Sequence, residues 1–325
     1  MAMHDVRVHE PIPLEAIRAA QTRVAGLTTR TPLVRLNVED APAEIYLKLE
    51  NLQPIGSFKL RGASNALALA NRVLLARGVW TASAGNMAQG VAWCARRLGP
   101  PCTVVVPDSA PVTKRAAIAR LGADIIDVPF GDWLEVFRTR RHAGLDGVFV
   151  HPFSDPDVMA GNGAIGLEIL EDLPDVDAVV VPWGGGGLCC GIASALRALA
   201  PGCKVYAAEV ETAAPLAASL AAEGPVEVAY TPSFVDGIGA PIVFPEMFDL
   251  ARRLLDGALV SALDEVANAV RLLAERNRVI AEGAGAAAPA AALAGKAGGG
   301  KVVCVVSGGN IDAAKLGTIL GGRTP

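Results

Sequence analysis

Short β-branched runs alternate along the chain with longer segments in which apolar residues recur every three or four positions. The runs are 45–49 (IYLKL), 79–82 (VWTA), 103–106 (TVVV), 124–128 (DIIDV), 148–150 (VFV), 178–181 (AVVV), 204–208 (KVYAA) and 301–306 (KVVCVV), and each predicts a strand. The segments of helical period are 87–98, 111–121, 161–172, 188–200 and 264–281. Alternation of this kind predicts an α/β fold, a mostly parallel sheet flanked by helices.

Composition sharpens that picture. Of 325 residues 52% are hydrophobic but only 5% aromatic, so the core is built from Ala, Val, Leu and Ile, which suits helices packed closely on a buried sheet. The length predicts two domains. The net charge of −4 is spread along the chain with no basic block, which argues against a nucleic-acid partner. Cys94, Cys102, Cys189, Cys190, Cys203 and Cys304 show no C-x-x-C spacing and read as reduced thiols of a cytoplasmic protein. The N-terminal MAMHDVRVHEP carries charges where an export signal needs an apolar stretch. Residues 178–196 lack charge, but Pro182 and four glycines interrupt them, so no membrane span is expected.

Ligands of open parallel sheets bind beyond the carboxyl ends of the strands, and this rule sorts the glycine-rich turns. SAGN (83–86), GGGG (184–187) and SGGN (307–310) follow strands; GGG (298–300) precedes one and belongs to the opposite edge. GGGGL opens a helix, so bare backbone N–H groups and the positive helix end face one anion, although a flexible turn needs the same residues. A dinucleotide site with Glu209 on the ribose is disfavoured, because Cys189 or Cys190 falls where the last glycine of G-x-G-x-x-G belongs. A single phosphate fits better. Ser83 and Asn86 are the residue types that cap a helix, and the same N–H groups can hold a carboxylate. Lys59, in GSFKLRGA, reads alone as a surface residue beside Phe58. Taken together, a lysine, a phosphate cup, an anion-binding helix start and the lone hydroxyl of Ser307 are the parts that hold pyridoxal 5′-phosphate.

LKLENLQPIGSFKLRGA (47–63), SAGNMAQGVA (83–92), GGGGL (184–188) and VVSGGN (305–310) resemble, in order, the motifs of the fold type II pyridoxal-phosphate enzymes. The likeness is strongest to the threonine/serine dehydratase and serine racemase branch. TRTPL (29–33), HPFSDPDVMAGNG (151–163) and DGIGA (236–240) match as well, so the resemblance covers almost the whole chain. It implies a two-domain fold like that of the tryptophan synthase β chain, each domain an open, mostly parallel sheet flanked by helices. A small mobile domain at 56–156 is then inserted into a large cofactor-binding domain formed by 1–55 and 157–325. Lys59 forms the Schiff base, Phe58 packs against the pyridine ring and Asn86 bonds the ring hydroxyl. Gly184, Gly185, Gly186, Gly187 and Leu188 hold the phosphate, and Ser307 meets the pyridine nitrogen. Ser83, Ala84, Gly85, Asn86 and Met87 receive the substrate carboxylate, and Glu282 in AEGAGA lies near the ring. Relatives are commonly homodimers or homotetramers.

The implied activity is β-elimination of water and ammonia from a β-hydroxy amino acid, with Lys59 removing the Cα proton. Neutral Ser307 at the ring nitrogen makes a weaker electron sink than a carboxylate does, which favours prompt loss of a β-substituent. Racemases of the branch carry a second serine where Ala84 stands, so racemisation is the alternative, with β-replacement a further one. A protein that binds the cofactor without turnover is a non-enzymatic reading. Met87 replaces the histidine usual in dehydratases and suggests a bulkier β-substituent, as in phenylserine, unless it only fills space. The cation site of racemase relatives is matched by Glu209 and Ala213, but Pro215 occupies the place of its second acid; one carboxylate makes a poor cage for a hard cation, so no metal is expected by that route, with Glu211 as the conceivable substitute. The chain ends soon after SGGN, and no isoleucine-sensing regulatory domain is expected.

Overall fold

A computed structural model describes residues 9–325, so most of the charged N-terminal stretch lies outside the described residues. Among the described residues ten strands form two separate sheets. The first holds β1 (Leu33–Arg35), β2 (Glu44–Lys48), β7 (Ala178–Pro182), β8 (Lys204–Val210), β9 (Gly257–Ser261) and β10 (Lys301–Val305), in the order β1-β2-β10-β7-β8-β9. Only the edge strand β1 runs antiparallel; all other pairs are parallel. The second sheet, wholly parallel, orders β3 (Val79–Ala82), β4 (Cys102–Pro107), β5 (Asp124–Val128) and β6 (Val148–Phe149) as β5-β4-β3-β6.

Both sheets are covered on both faces, and the strand residues divide cleanly between the layers. Val179, Val181, Val205, Ala207, Val303 and Val305 of the larger sheet pack into one cluster with the helices Pro156–Asp172 and Gly187–Leu199. Ala178, Val180, Ala208, Val210, Val302 and Cys304 pack into the opposite cluster with helices Leu263–Leu272 and Gly283–Leu293. A central strand buried on both sides needs apolar residues at every position, which is why these strands are legible as unbroken runs. The six cysteines are buried and unbridged. Among the described residues no helix is long and apolar enough to cross a membrane.

All eight strands expected from the sequence are present, and two more exist. β1 is three residues long, and β9 is an edge strand whose residues are only half-buried apart from Ser261. The helix expected at 161–172 starts at Pro156, capped by Asp155 on the N–H groups of Asp157 and Val158. The segment 264–281 stops early: its α-helix ends at Leu272, a wider turn covers Leu273–Asn277, and Arg278 takes a left-handed conformation. Gly283–Leu293 escapes a periodicity search because it is buried all round by small side chains.

Candidate active site

Lys59 is the first residue of the helix Lys59–Leu69, and the turn before it is tied to the end of β10. The Phe58 N–H donates to the Ser307 carbonyl at 3.0 Å, and Ser57 bridges to Gly308. The helix Asn86–Leu98 presses on the same turn: a Cβ at Gly90 would sit 3.3 Å from the Lys59 carbonyl. The half-buried Lys59 side chain places its amine 5.1 Å from the centre of the Phe58 ring. Its hydrogen bond runs to the Pro152 carbonyl at 2.7 Å, and it makes no ion pair with any described carboxylate. Desolvation without a counter-charge lowers its pKa to about 8. An amine in that state loses its proton far more readily than a solvated lysine.

Pro152 links this lysine to the glycine turn. A Cβ at Gly185 would overlap the Phe153 ring, and one at Gly187 would come within 2.6 Å of the Phe153 carbonyl. Gly186 adopts φ +91°, folded back on Trp183, and no side chain caps the helix Gly187–Leu199 that follows. The N-terminal N–H groups of a 13-residue helix therefore stay open beside a backbone with no room for side chains. Leu188 is buried in the adjoining core. On the other side Gly184 approaches Gly237, and Gly237 lies against the Glu282 carboxylate.

Glu282 closes the ring of contacts. Its Oε1 accepts from Asn86 Nδ2 at 2.7 Å, while Asn86 Oδ1 accepts from Asn310 Nδ2 at 2.8 Å. Burial pushes the Glu282 carboxyl up to about 7, partly offset by that bond from Asn86. Gly308, between Ser307 and the network, has no room for a Cβ because the Glu282 carboxylate lies against it. Lys59, Phe58, Asn86, the turn 184–188, Glu282 and Ser307 thus form one continuous surface, joined through Pro152 and Phe153, which sequence reasoning had not singled out.

The capping role of Ser83 and Asn86 does not materialise. Ser83 Oγ accepts only from Gly85 N at 3.2 Å, the Asn86 amide is used by Glu282 and Asn310, and the helix start has no side-chain cap. The Ser83 N–H is used by the Val105 carbonyl and that of Gly85 by Ser83 Oγ, which leaves the N–H groups of Ala84, Asn86 and Met87 for a ligand. Met87 differs from expectation. Its side chain is 1% exposed and packs with Leu60, Val91, Val104 and Ile118, so it has no surface through which to select a bulky β-substituent.

Pyridoxal phosphate fits this surface. A counterion-free amine of lowered pKa, an uncapped helix start behind a glycine cradle, and a hydroxyl residue at the end of the central strand answer its aldehyde, phosphate and ring nitrogen. Comparison with known families decides the matter: the family described as pyridoxal-phosphate dependent enzymes matches residues 24–308. The chain belongs to that family. Among curated members of known activity, it is 42% identical to an L-threonine ammonia-lyase of Thermotoga maritima, over 95% of this chain and 78% of that one. It is 38% identical to the catabolic L-threonine dehydratase of Escherichia coli K12, over 96% and 97%. Among solved family structures, maize serine racemase superposes with a TM-score of 0.88 at 31% identity, covering 96% of this chain and 98% of that one. The cofactor of the family is pyridoxal 5′-phosphate, and the two sheets have the fold type II architecture of these neighbours.

Proposed function

We propose that the protein is an ammonia-lyase that converts a β-hydroxy amino acid of the threonine/serine class to a 2-oxo acid and ammonia. The reading is carried by the Lys59 amine, which is held low in pKa without a counterion and bonds the Pro152 carbonyl, next to the Phe153 ring that walls the glycine turn. The relatives named for L-threonine support the substrate class. When bound, pyridoxal phosphate supplies a conjugated electron sink that acidifies the Cα–H of an attached amino acid.

The chain's own groups do the rest. Gly184 to Leu188 and the helix start behind them would hold the phosphate, with Phe58 against the ring. In the turn Ser83 to Met87, the uncommitted N–H groups of Ala84, Asn86 and Met87 would bind the substrate carboxylate. Asn86 would donate to the ring hydroxyl, and Ser307 would meet the ring nitrogen without a charge. Lys59 Nζ would take the Cα proton; its pKa of about 8 leaves that nitrogen unprotonated far more often near neutral pH than an ordinary lysine. The β-hydroxyl would leave as water, and the released enamine would tautomerise to an imine that one water hydrolyses to the 2-oxo acid and ammonia. Ala84 has no proton to deliver to the opposite face, which favours elimination over racemisation. We take 56–156 as the mobile unit and 1–55 with 157–325 as the large domain.

A direct test incubates the cofactor-loaded protein with L-threonine, L-serine and L-phenylserine and measures 2-oxo acid and ammonia. Threonine and serine are expected to react, and phenylserine to be the poorest. No release from any of the three would sink the proposal. Rapid D-serine from L-serine would make it a racemase, and a thioether or thiol product in the presence of sulfide a β-replacement enzyme.

A further inference from the structure

Asn310 is outside every role assigned above, yet its amide touches the one that faces the ring. Its Nδ2 lies 2.9 Å from the Ile55 carbonyl and 2.8 Å from Asn86 Oδ1. A backbone carbonyl can only accept, so the Asn310 atom facing Ile55 must be its NH₂ nitrogen. The second proton of that nitrogen points to Asn86, which must answer with its oxygen. The Asn86 NH₂ is then turned inward, where one N–H donates to Glu282 Oε1 at 2.7 Å. Its other N–H is committed to no described residue. The Asn310 oxygen sits above Gly56, at φ +71°, where a Cβ would come within 2.7 Å of it.

We infer that Asn310 is a positioning residue: it fixes the Asn86 amide so that an N–H, and never the carbonyl oxygen, is offered to the ring hydroxyl of the cofactor. This rests on the placement of Asn86 at the ring. An inverted Asn86 would set its oxygen against an electron-rich ring oxygen and replace a hydrogen bond by repulsion. The direction is set by a chain of donors that begins at an unambiguous backbone carbonyl, Ile55, and ends at the cofactor.

The test is a double-mutant cycle read by cofactor affinity of the apoprotein and by the visible absorbance of the bound cofactor, which reports the charge on its ring oxygen. Asn310 is exposed on its outer side, so Asn310→Ala opens no buried cavity. It is expected to weaken cofactor binding about tenfold and to diminish the visible band. The same substitution in an Asn86→Ala background is expected to change neither. Asn310→Asp keeps the shape but removes both donors, and is expected to match or exceed the loss in Asn310→Ala. Equal losses in both backgrounds, or unchanged binding and absorbance in Asn310→Ala and Asn310→Asp, would overturn the inference. If Asn86→Ala alone changes neither readout, the placement of Asn86 at the ring fails and the inference with it.

Discussion

Two lysines, eleven positions apart in sequence, lie at opposite ends of one short connection and show what burial does with and without a counter-charge. Lys48, fully enclosed, bonds Glu168 Oε2 at 2.6 Å and the Thr31 carbonyl at 2.6 Å. Arg61, two residues after Lys59, completes the set by gripping Glu50 with Nε and Nη2 at 2.8 Å and Glu168 with Nη1 at 2.7 Å. Two cations face two carboxylates, and nothing in the group is left to react. Burial alone would disfavour the charge on Arg61, but the adjoining carboxylates raise its pKa. Lys59 has no carboxylate, and desolvation acts on it unopposed. A paired buried cation is architecture, whereas an unpaired one facing a cleft is a reagent.

Removing each cation should therefore fail in different ways. Lys59→Ala is expected to abolish elimination, by roughly 10³-fold or more, and to erase the visible absorbance of the holoenzyme. Its unfolding free energy should stay within about 1 kcal/mol of wild type. Arg61→Met leaves Glu50 and Glu168 buried with Lys48 as their one remaining cation, and should cost about 3–5 kcal/mol of stability, read as a lower denaturant midpoint. Turnover per folded molecule should survive within about tenfold. Wild-type turnover in the first variant, or unchanged stability in the second, would break the contrast.

The sequence hides this contrast. Lys48, Lys59 and Arg61 all sit in LKLENLQPIGSFKLRGA, and by residue type alone any of them reads as a surface charge. Their partners Glu168, Thr31 and Pro152 lie as much as 120 positions away, and only packing brings them together. Motif resemblance picked out Lys59 but gave no reason for its reactivity. The glycine turns were legible because each follows an unbroken apolar run; at Gly185 and Gly187 only glycine tolerates the close approach of Phe153. Pro152 and Phe153 went unassigned because their part in the site is a carbonyl and a ring wall, neither of which has a sequence signature. Of the two readings of Met87, a selector of bulky substituents or a filler of space, its burial favours the second, and a residue in the first turn of a helix does not reveal by type which way its side chain turns.

A finer test of the comparison uses pH. Apoprotein takes up cofactor through an unprotonated Lys59, so the uptake rate should rise with pH around about 8, well below the 10.5 of an ordinary lysine. The same shift sets a sign for stability. Between about 8 and 10.5 the unfolded chain still holds the proton that the native amine has released, so apoprotein stability should increase with pH across that window. A supplied counter-charge should cancel both effects. An uptake profile centred near 10.5 would mean that the amine is solvated like any surface lysine.

The smallest expected effect concerns Glu209, another buried charged residue, which resembles Lys48 in having its charged end bonded within the fold. Its two carboxylate oxygens accept from the N–H groups of Leu216 and Ala217 at 2.9 and 2.8 Å. Burial pushes its pKa up to about 7, and those two N–H bonds limit the rise. A hard divalent cation takes six or more oxygen ligands, one or two of them carboxylates in the case of Mg²⁺; both Glu209 oxygens are committed to backbone N–H groups, and Pro215 offers no side-chain oxygen beside them. Adding Mg²⁺ to chelator-treated holoenzyme is accordingly expected to change turnover by less than about twofold. A several-fold activation that vanishes in Glu209→Gln would show that this carboxylate can leave its backbone partners for a metal, and that it belongs with Lys59 among the reactive groups.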